Sequence, residues 1–224
     1  MSGLVLEGVR KGFGAGEARV EVLKGVDWTL EEGDFVVLTG PSGSGKTTLL
    51  AVAGLLLRPD AGRISFWDRD AAAMDERELA AVRAREVGMV FQKFCLLERR
   101  SALDNVLFRF RYAGGPTKEA RLAAEAALER VGMADKAKRR AGVMSAGEMQ
   151  RVAIARAIAS HPRLLLADEP TGNLDEANAE GVMELFRDLN REGMTVMVVT
   201  HNPAWTQVPG ARICRMERGR VVEG

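Results

Sequence analysis

The stretch Gly40-Pro41-Ser42-Gly43-Ser44-Gly45-Lys46-Thr47-Thr48 limits this chain more than any other. Before it, the run from Asp34 to Thr39 has the β-branched and aromatic content of a buried strand, and after it Leu49 to Leu57 reads as a buried helix. Strand, glycine-rich turn and helix follow in that order. The turn reads G-x-x-x-x-G-K-T, whose glycines let successive N–H groups face one concavity while the helix adds the positive end of its dipole. Such a cradle fits a di- or triphosphate. Ser42, Gly43, Ser44, Gly45 and Thr48 supply the loop and helix start, Lys46 would reach the β- and γ-phosphates as a point charge, and the Thr47 hydroxyl would ligate Mg²⁺. A flexible Gly/Ser loop is the alternative, and the strand and helix in register on either side weigh against it.

With 224 residues the chain fits one domain, or one domain with an inserted lobe. A net charge of +1 argues against electrostatic binding to nucleic acid. No apolar run approaches the roughly 18 residues of a membrane span, and no signal-peptide pattern opens the sequence. The expectation is a cytoplasmic chain that reaches the membrane only through a partner. Cys95 and Cys214 lack metal-ligand spacing, so reduced free thiols are expected.

Short apolar alternation over residues 3–10 and 19–30, around the glycine-bearing link Gly12 to Gly16, predicts antiparallel strands leading into the phosphate loop. Phe13 in that link suits either a purine stack or plain core. Further on, residues 63–67 and 87–91 read as strands, the latter ending at Gln92, and residues 75–86 as a solvated helix. Between about 93 and 160 helices replace the alternation, with Thr117 to Val131 and Ser145 to Ala159 as the clearest, which suggests an inserted helical lobe. Strands return at 163–167 and 194–200 around a helical stripe of Val182, Leu185, Phe186 and Leu189, and short strands at 211–216 and 220–222 close the chain.

Asp168 and Glu169 follow a fully apolar strand, so both carboxylates should leave at its C-terminal edge, where open α/β sheets place their ligands. Asp168 suits Mg²⁺ and Glu169 suits general-base work on a water; two solvated acids at a strand end are the alternative. Gln92 and His201 also end strands, Gln92 as a ligand to Mg²⁺ or water and His201 as a donor to a γ-phosphate, although each alone means little. In Met144-Ser145-Ala146-Gly147-Glu148-Met149-Gln150-Arg151, Ser145-x-x-Glu148 is a capping box. The small residues behind Ser145 expose N–H groups at a helix start, which makes a second anion site.

In this order the phosphate loop, Gln92, the helix start at Ser145 to Glu148, Leu164 to Glu169, Asn173-Leu174-Asp175 and His201 resemble the ATP-binding cassette (ABC) ATPases over essentially the whole chain. The resemblance implies an α/β P-loop NTPase fold: a mostly parallel sheet, an N-terminal antiparallel β subdomain and an inserted helical lobe. Residues 1–92 and 161–224 would form the core and 93–160 the lobe. It implies ATP and Mg²⁺ as cofactors, Glu169, His201 and Gln92 as catalytic residues, and Thr47, Gln92 and Asp168 around the metal. Phe13 becomes the adenine-stacking ring. ATP would lie between one subunit's phosphate loop and the Ser145, Gly147 and Glu148 of a second copy, with Asp175 crossing a homodimer interface. Thr171 to Asp175, Val90 to Gln92 and Leu96-Leu97 are similar to the lipoprotein-releasing, macrolide-exporting and cell-division group, whose ATPases drive integral membrane permeases. The surface after Gln92, with Phe94, Cys95, Leu96 and Leu97 expected to be partly exposed, is the candidate docking site, core packing being the alternative. An ATP-switched scaffold of the cell-division kind is the competing function. A kinase or GTPase is disfavoured, because no Asn-Lys-x-Asp element is present. One departure stands out: Ala146 replaces the first of two glycines usual after the serine, which would cost on the order of 1 kcal/mol if that position required positive φ.

Overall fold

In a computed structural model of the chain, residues 2–112, 115 and 117–223 are described. They form two compact units, one comprising residues up to Leu79 together with those from Asn190 onward, the other Ala80–Leu189.

The first unit begins with β1 (Ser2–Phe13) and β2 (Val20–Glu31), antiparallel with Leu4 opposite Leu30 and Leu6 opposite Trp28. Leu4, Leu6, Val9, Leu23, Val26 and Leu30 are buried, so the alternation in the sequence marks the inner face. β4 (Ala61–Phe66) pairs with the other edge of β1, and β5 (Arg69–Asp70) completes the order β2-β1-β4-β5. The second sheet of this unit is built on β3 (Phe35–Thr39), which lies parallel to β8 (Thr195–Val199) on one side and β9 (Arg212–Glu217) on the other. β10 (Arg220–Glu223) adds an antiparallel edge to β9. Every residue of β8 and the first four of β3 are buried, the near-continuous apolar pattern of strands covered on both faces. Behind the loop runs α1 (Lys46–Ala53), three residues earlier at its start and four shorter at its end than Leu49 to Leu57 suggested. Gly54 caps it, and Leu55 turns into the left-handed region at φ 57°, which a continuing helix does not permit.

α2 (Glu76–Glu86), most of it in the second unit, leads into that unit's β6 (Val87–Val90), which pairs in parallel with β7 (Leu164–Asp168), Val90 opposite Ala167. Between them in sequence lie α3 (Ala102–Leu107), α4 (Lys118–Arg130) and α5 (Ala146–Ile158). Thr117 caps α4, and Ala124, Leu128 and Val131 are buried as their spacing predicts. α3 is short but well defined by a capping box, in which the Ser101 hydroxyl accepts from the Asp104 N–H at 3.0 Å. α5 backs closely onto β6: a Cβ on Gly88 would sit 2.7 Å from the Ala157 carbonyl oxygen. The closing helix α6 (Glu176–Arg191) buries Val182, Leu185, Phe186 and Leu189. Among the described residues no helix is long and apolar enough to cross a membrane, and Cys95 and Cys214 are free thiols, exposed and buried respectively.

Candidate nucleotide site

The first unit carries the phosphate loop. β3 delivers the chain to Gly40 at φ 138°, where a side chain is excluded twice over, since a Cβ would lie 2.3 Å from the Met216 carbonyl oxygen. Gly45, at φ 108°, caps α1 from the left-handed region and contributes no side-chain cap, and no acidic residue occupies the helix's first turn. The Lys46 ammonium folds back along the loop, donating to the Gly40 carbonyl at 2.8 Å and the Pro41 carbonyl at 3.0 Å. Gly219 N–H donates to the Ser44 carbonyl at 3.2 Å, so β10's turn holds the loop from behind.

Two features test whether this loop suits a polyphosphate. The Ser44 hydroxyl is buried without a hydrogen-bond partner among the described residues, and the N–H groups of Gly43, Gly45 and Lys46 donate to no backbone carbonyl there. A buried hydroxyl is normally paired, so the Ser44 hydroxyl beside these open N–H groups marks a place suited to an anion. His201 leaves the same sheet edge: β8 is β3's parallel neighbour, with Val199 opposite Leu38 and the Thr200 N–H on the Leu38 carbonyl. His201 is exposed there. Phe13 ends β1 with 46% of its surface exposed, which excludes the core alternative. Asp60, which the sequence did not single out, fixes that strand end by accepting from Lys11 Nζ at 2.7 Å, Gly12 N at 2.8 Å and Arg19 Nη2 at 2.8 Å. The Lys11 and Gly12 bonds hold the Asp60 carboxyl below the usual aspartate range.

The second unit carries the carboxylates and the start of α5. β7 is buried through Ala167, and Asp168 and Glu169 emerge half-buried at its C-terminal end. Glu169 takes φ 47°, a left-handed conformation that costs a non-glycine residue about 1 kcal/mol or more. Gln92, beyond the neighbouring β6, comes to the same place: Gly172 lies 3.4 Å, measured from an added Cβ, from Gln92 Nε2 and 3.6 Å from the Glu169 Cβ. Asn173 Nδ2 donates to the Gln92 carbonyl at 2.8 Å and fastens the segment after Gln92 to the turn after Glu169.

At the start of α5, Glu148 N–H donates to the Ser145 hydroxyl at 3.3 Å and the Glu148 carboxylate accepts from the Ser145 N–H at 2.8 Å, the predicted capping box. Lys136 and Arg139 flank that carboxylate at 3.1 and 3.6 Å. The Ser145 N–H bond first, then Lys136, hold the Glu148 carboxyl below its usual range. Ala146 is the first residue of α5 and is not among the non-glycine residues with positive φ, so the strain expected of a Cβ there does not arise. At Gly147 the constraint is space rather than φ: a Cβ would approach the Asn178 side-chain oxygen to 2.6 Å, so that side chain would have to shift. Asp175 caps α6, its carboxylate accepting from Asn178 N at 2.9 Å and from Asn178 Nδ2 at 3.0 and 2.8 Å. Those bonds, backbone first, lower the Asp175 carboxyl below its usual range.

The family described as ABC transporter matches residues 23–172, and the chain belongs to it. It is an ABC-type ATPase, the ATP-binding subunit of a transporter. It is 44% identical to the "Lipoprotein-releasing system ATP-binding protein LolD" of Paramagnetospirillum magneticum over 99% of this chain and 98% of that protein. With the "Macrolide export ATP-binding/permease protein MacB" of Syntrophobacter fumaroxidans it shares 44% identity over 96% of this chain but 30% of that larger protein. Among solved structures, the dimeric MJ0796, a bacterial ABC transporter cassette, superposes with a TM-score of 0.88 at 38% identity, covering 97% of this chain and 96% of its own. The same cassette in a post-hydrolysis dimer bound to ADP and Pi gives a TM-score of 0.88 at 36% identity, covering 98% of each chain.

Proposed function

We propose that two copies of this chain close around ATP and that the closure drives a membrane permease. The observation that carries this reading is the match, over nearly the full length of both chains, to a cassette whose structure is dimeric. Each copy brings two anion-binding elements, the phosphate loop and the capped start of α5, and the site would be completed by the loop of one copy and the α5 start of the other. Phe13 stacks on the adenine, while Ser42, Gly43, Ser44, Gly45, Lys46, Thr47 and Thr48 hold the phosphates. Ser145, Gly147 and Glu148 face the γ-phosphate of the partner copy's nucleotide, and Asp175 crosses between the copies.

Thr47, Gln92 and Asp168 are the proposed holders of Mg²⁺, which when bound would neutralise phosphate charge. A hydroxyl, an amide and a carboxylate each offer the kind of oxygen donor that a hard cation takes. Glu169 accepts the proton of the attacking water, Gln92 orients that water, and His201 donates to the γ-phosphate.

Docking of the permease is assigned to the segment after Gln92. Leu97 is 43% exposed, and with Arg100, Asp104, Leu107, Phe108 and Arg111 it lines an open groove of about 470 Å³. Asn105, buried, grips the Leu97 backbone from beneath, accepting from its N–H at 2.7 Å and donating to its carbonyl at 3.1 Å. A groove lined by Leu97, Leu107 and Phe108 with two arginines and one aspartate suits an amphipathic helix. Through that contact the chain would sit at the cytoplasmic face of the membrane. The names of its relatives support a release or export complex whose substrate is selected by the permease.

Purified Glu169→Gln tests the reading, since it should retain ATP. With Mg-ATP its mass should double from 24.3 kDa and fall back with ADP. A variant that binds ATP and stays at the single-chain mass refutes the proposal.

A further inference from the structure

Gln150 lies one turn below Ala146 on α5 and is 1% exposed. Its Nε2 donates to the Pro170 carbonyl at 2.7 Å, a buried bond to the residue directly after Glu169. Its Oε1 is buried and has no partner among the described residues. The reverse amide orientation would set oxygen against oxygen, so the donor must face Pro170 and the acceptor is left unpaired. As a purely structural residue this is a poor choice: a methionine of the same length would fill the space without the desolvation penalty of an orphaned acceptor. What the amide supplies is a grip on one carbonyl. That carbonyl belongs to the turn that holds Glu169 at φ 47° and is closed by the Gly172 N–H on the Glu169 carbonyl at 3.1 Å.

A second close approach to the same helix is at Gly147. The absent Cβ makes room for Asn178, whose amide nitrogen donates to both oxygens of Asp175. Gly147 is the second residue of α5 and Gln150 the fifth, so both contacts lie within the first turn and a half of the helix that Ser145 caps.

We propose that Gln150 is a positioning residue of the ATPase reaction, with Asn178 as its auxiliary. Together they make the anion-binding start of α5, the Glu169 turn and the Asp175 cap move as one body. Docking of the partner copy's γ-phosphate at Ser145 then fixes the general base that serves this copy's own nucleotide. The inference rests on the reading of Glu169 as that base.

The test is steady-state hydrolysis by the purified full chain. Gln150→Met should lower kcat between about 10- and 100-fold, the range expected when a reacting group is misplaced by a fraction of an ångström to one ångström. KM for ATP should stay within about 2-fold, because the residue touches no part of the phosphate loop. The melting temperature should stay within about 3 °C. A purely packing role would lower Tm and leave kcat per folded molecule unchanged; that outcome, or a wild-type kcat, overturns the proposal. Should Gln150→Met fail to fold, Asn178→Ala at its half-buried site decides on the same criteria, with a fall in kcat at constant KM expected and a wild-type kcat overturning it. Glu169→Gln, assayed alongside, separates the two readings. If it hydrolyses ATP at the wild-type rate, the assignment of the base is wrong; if it is inactive while the deciding variant at 150 or 178 is not, the positioning role is wrong.

Discussion

Lys46 spends its charge on two loop carbonyls, 2.8 and 3.0 Å away, which keeps the loop shaped as a cradle when no phosphate is present. A phosphate would exchange those neutral acceptors for a charged one, and charge-assisted bonds contribute about 1.5–3 kcal/mol. Lys46→Ala should therefore weaken ATP binding by about 10- to 150-fold, measured by calorimetry or nucleotide fluorescence. At Glu169 the backbone stores strain at the residue proposed as the general base. Glu169→Gly relieves the left-handed conformation, so denaturant unfolding should show stability held or raised by up to about 1 kcal/mol while hydrolysis disappears. A loss of stability would show that the side chain, not the strand and turn around it, maintains that geometry.

Among elements, α5 concentrates the account. Its capping box was legible because Ser145 and Glu148 stand at the spacing that satisfies two helix-start N–H groups reciprocally. Ser145→Ala should lower stability by about 1 kcal/mol in denaturant unfolding, the usual value of a lost N-cap. Glu148 also sets a pH dependence. Its folded pKa lies below the ordinary 4.5, so its contribution is fully present above that value and is lost as pH falls through the lower folded one. Wild-type stability should therefore fall more steeply between roughly pH 5 and pH 3 than that of Glu148→Gln; parallel curves would contradict the assigned bonds. The strands and long helices were equally readable, because burial of one face imposes a period on the sequence. Less readable was everything set by contact across the fold. Gly147 read as a small residue that leaves helix-start N–H groups open, and only the approach of Asn178 shows how little room it has, while Ala146 is under no strain. Gln150 had no local pattern, since its partner is a carbonyl twenty residues away. Asp60 was hidden for the same reason, its three donors lying on β1 and at Arg19. α3 did leave a signal, Ser101-x-x-Asp104, but with the shorter acid in place of the usual glutamate.

For the whole molecule, the proposed function depends on surfaces that a single copy leaves open. Leu97 presents an apolar side chain over a rigid loop, and Leu97→Glu should abolish capture of the permease in pull-down while leaving ATP affinity unchanged within about 2-fold. Retained capture would move the docking site elsewhere. The central claim is that a working ATP site takes its phosphate loop from one copy and its α5 start from another. Mixing Lys46→Ala with Ser145→Arg, each inactive alone, tests it directly through the rate of phosphate release. In the mixed dimer one site joins the intact loop of the Ser145→Arg copy to the intact α5 start of the Lys46→Ala copy, so hydrolysis should return well above the sum of the two variants. No recovery across all mixing ratios, with mixed dimers demonstrably formed, would contradict the account.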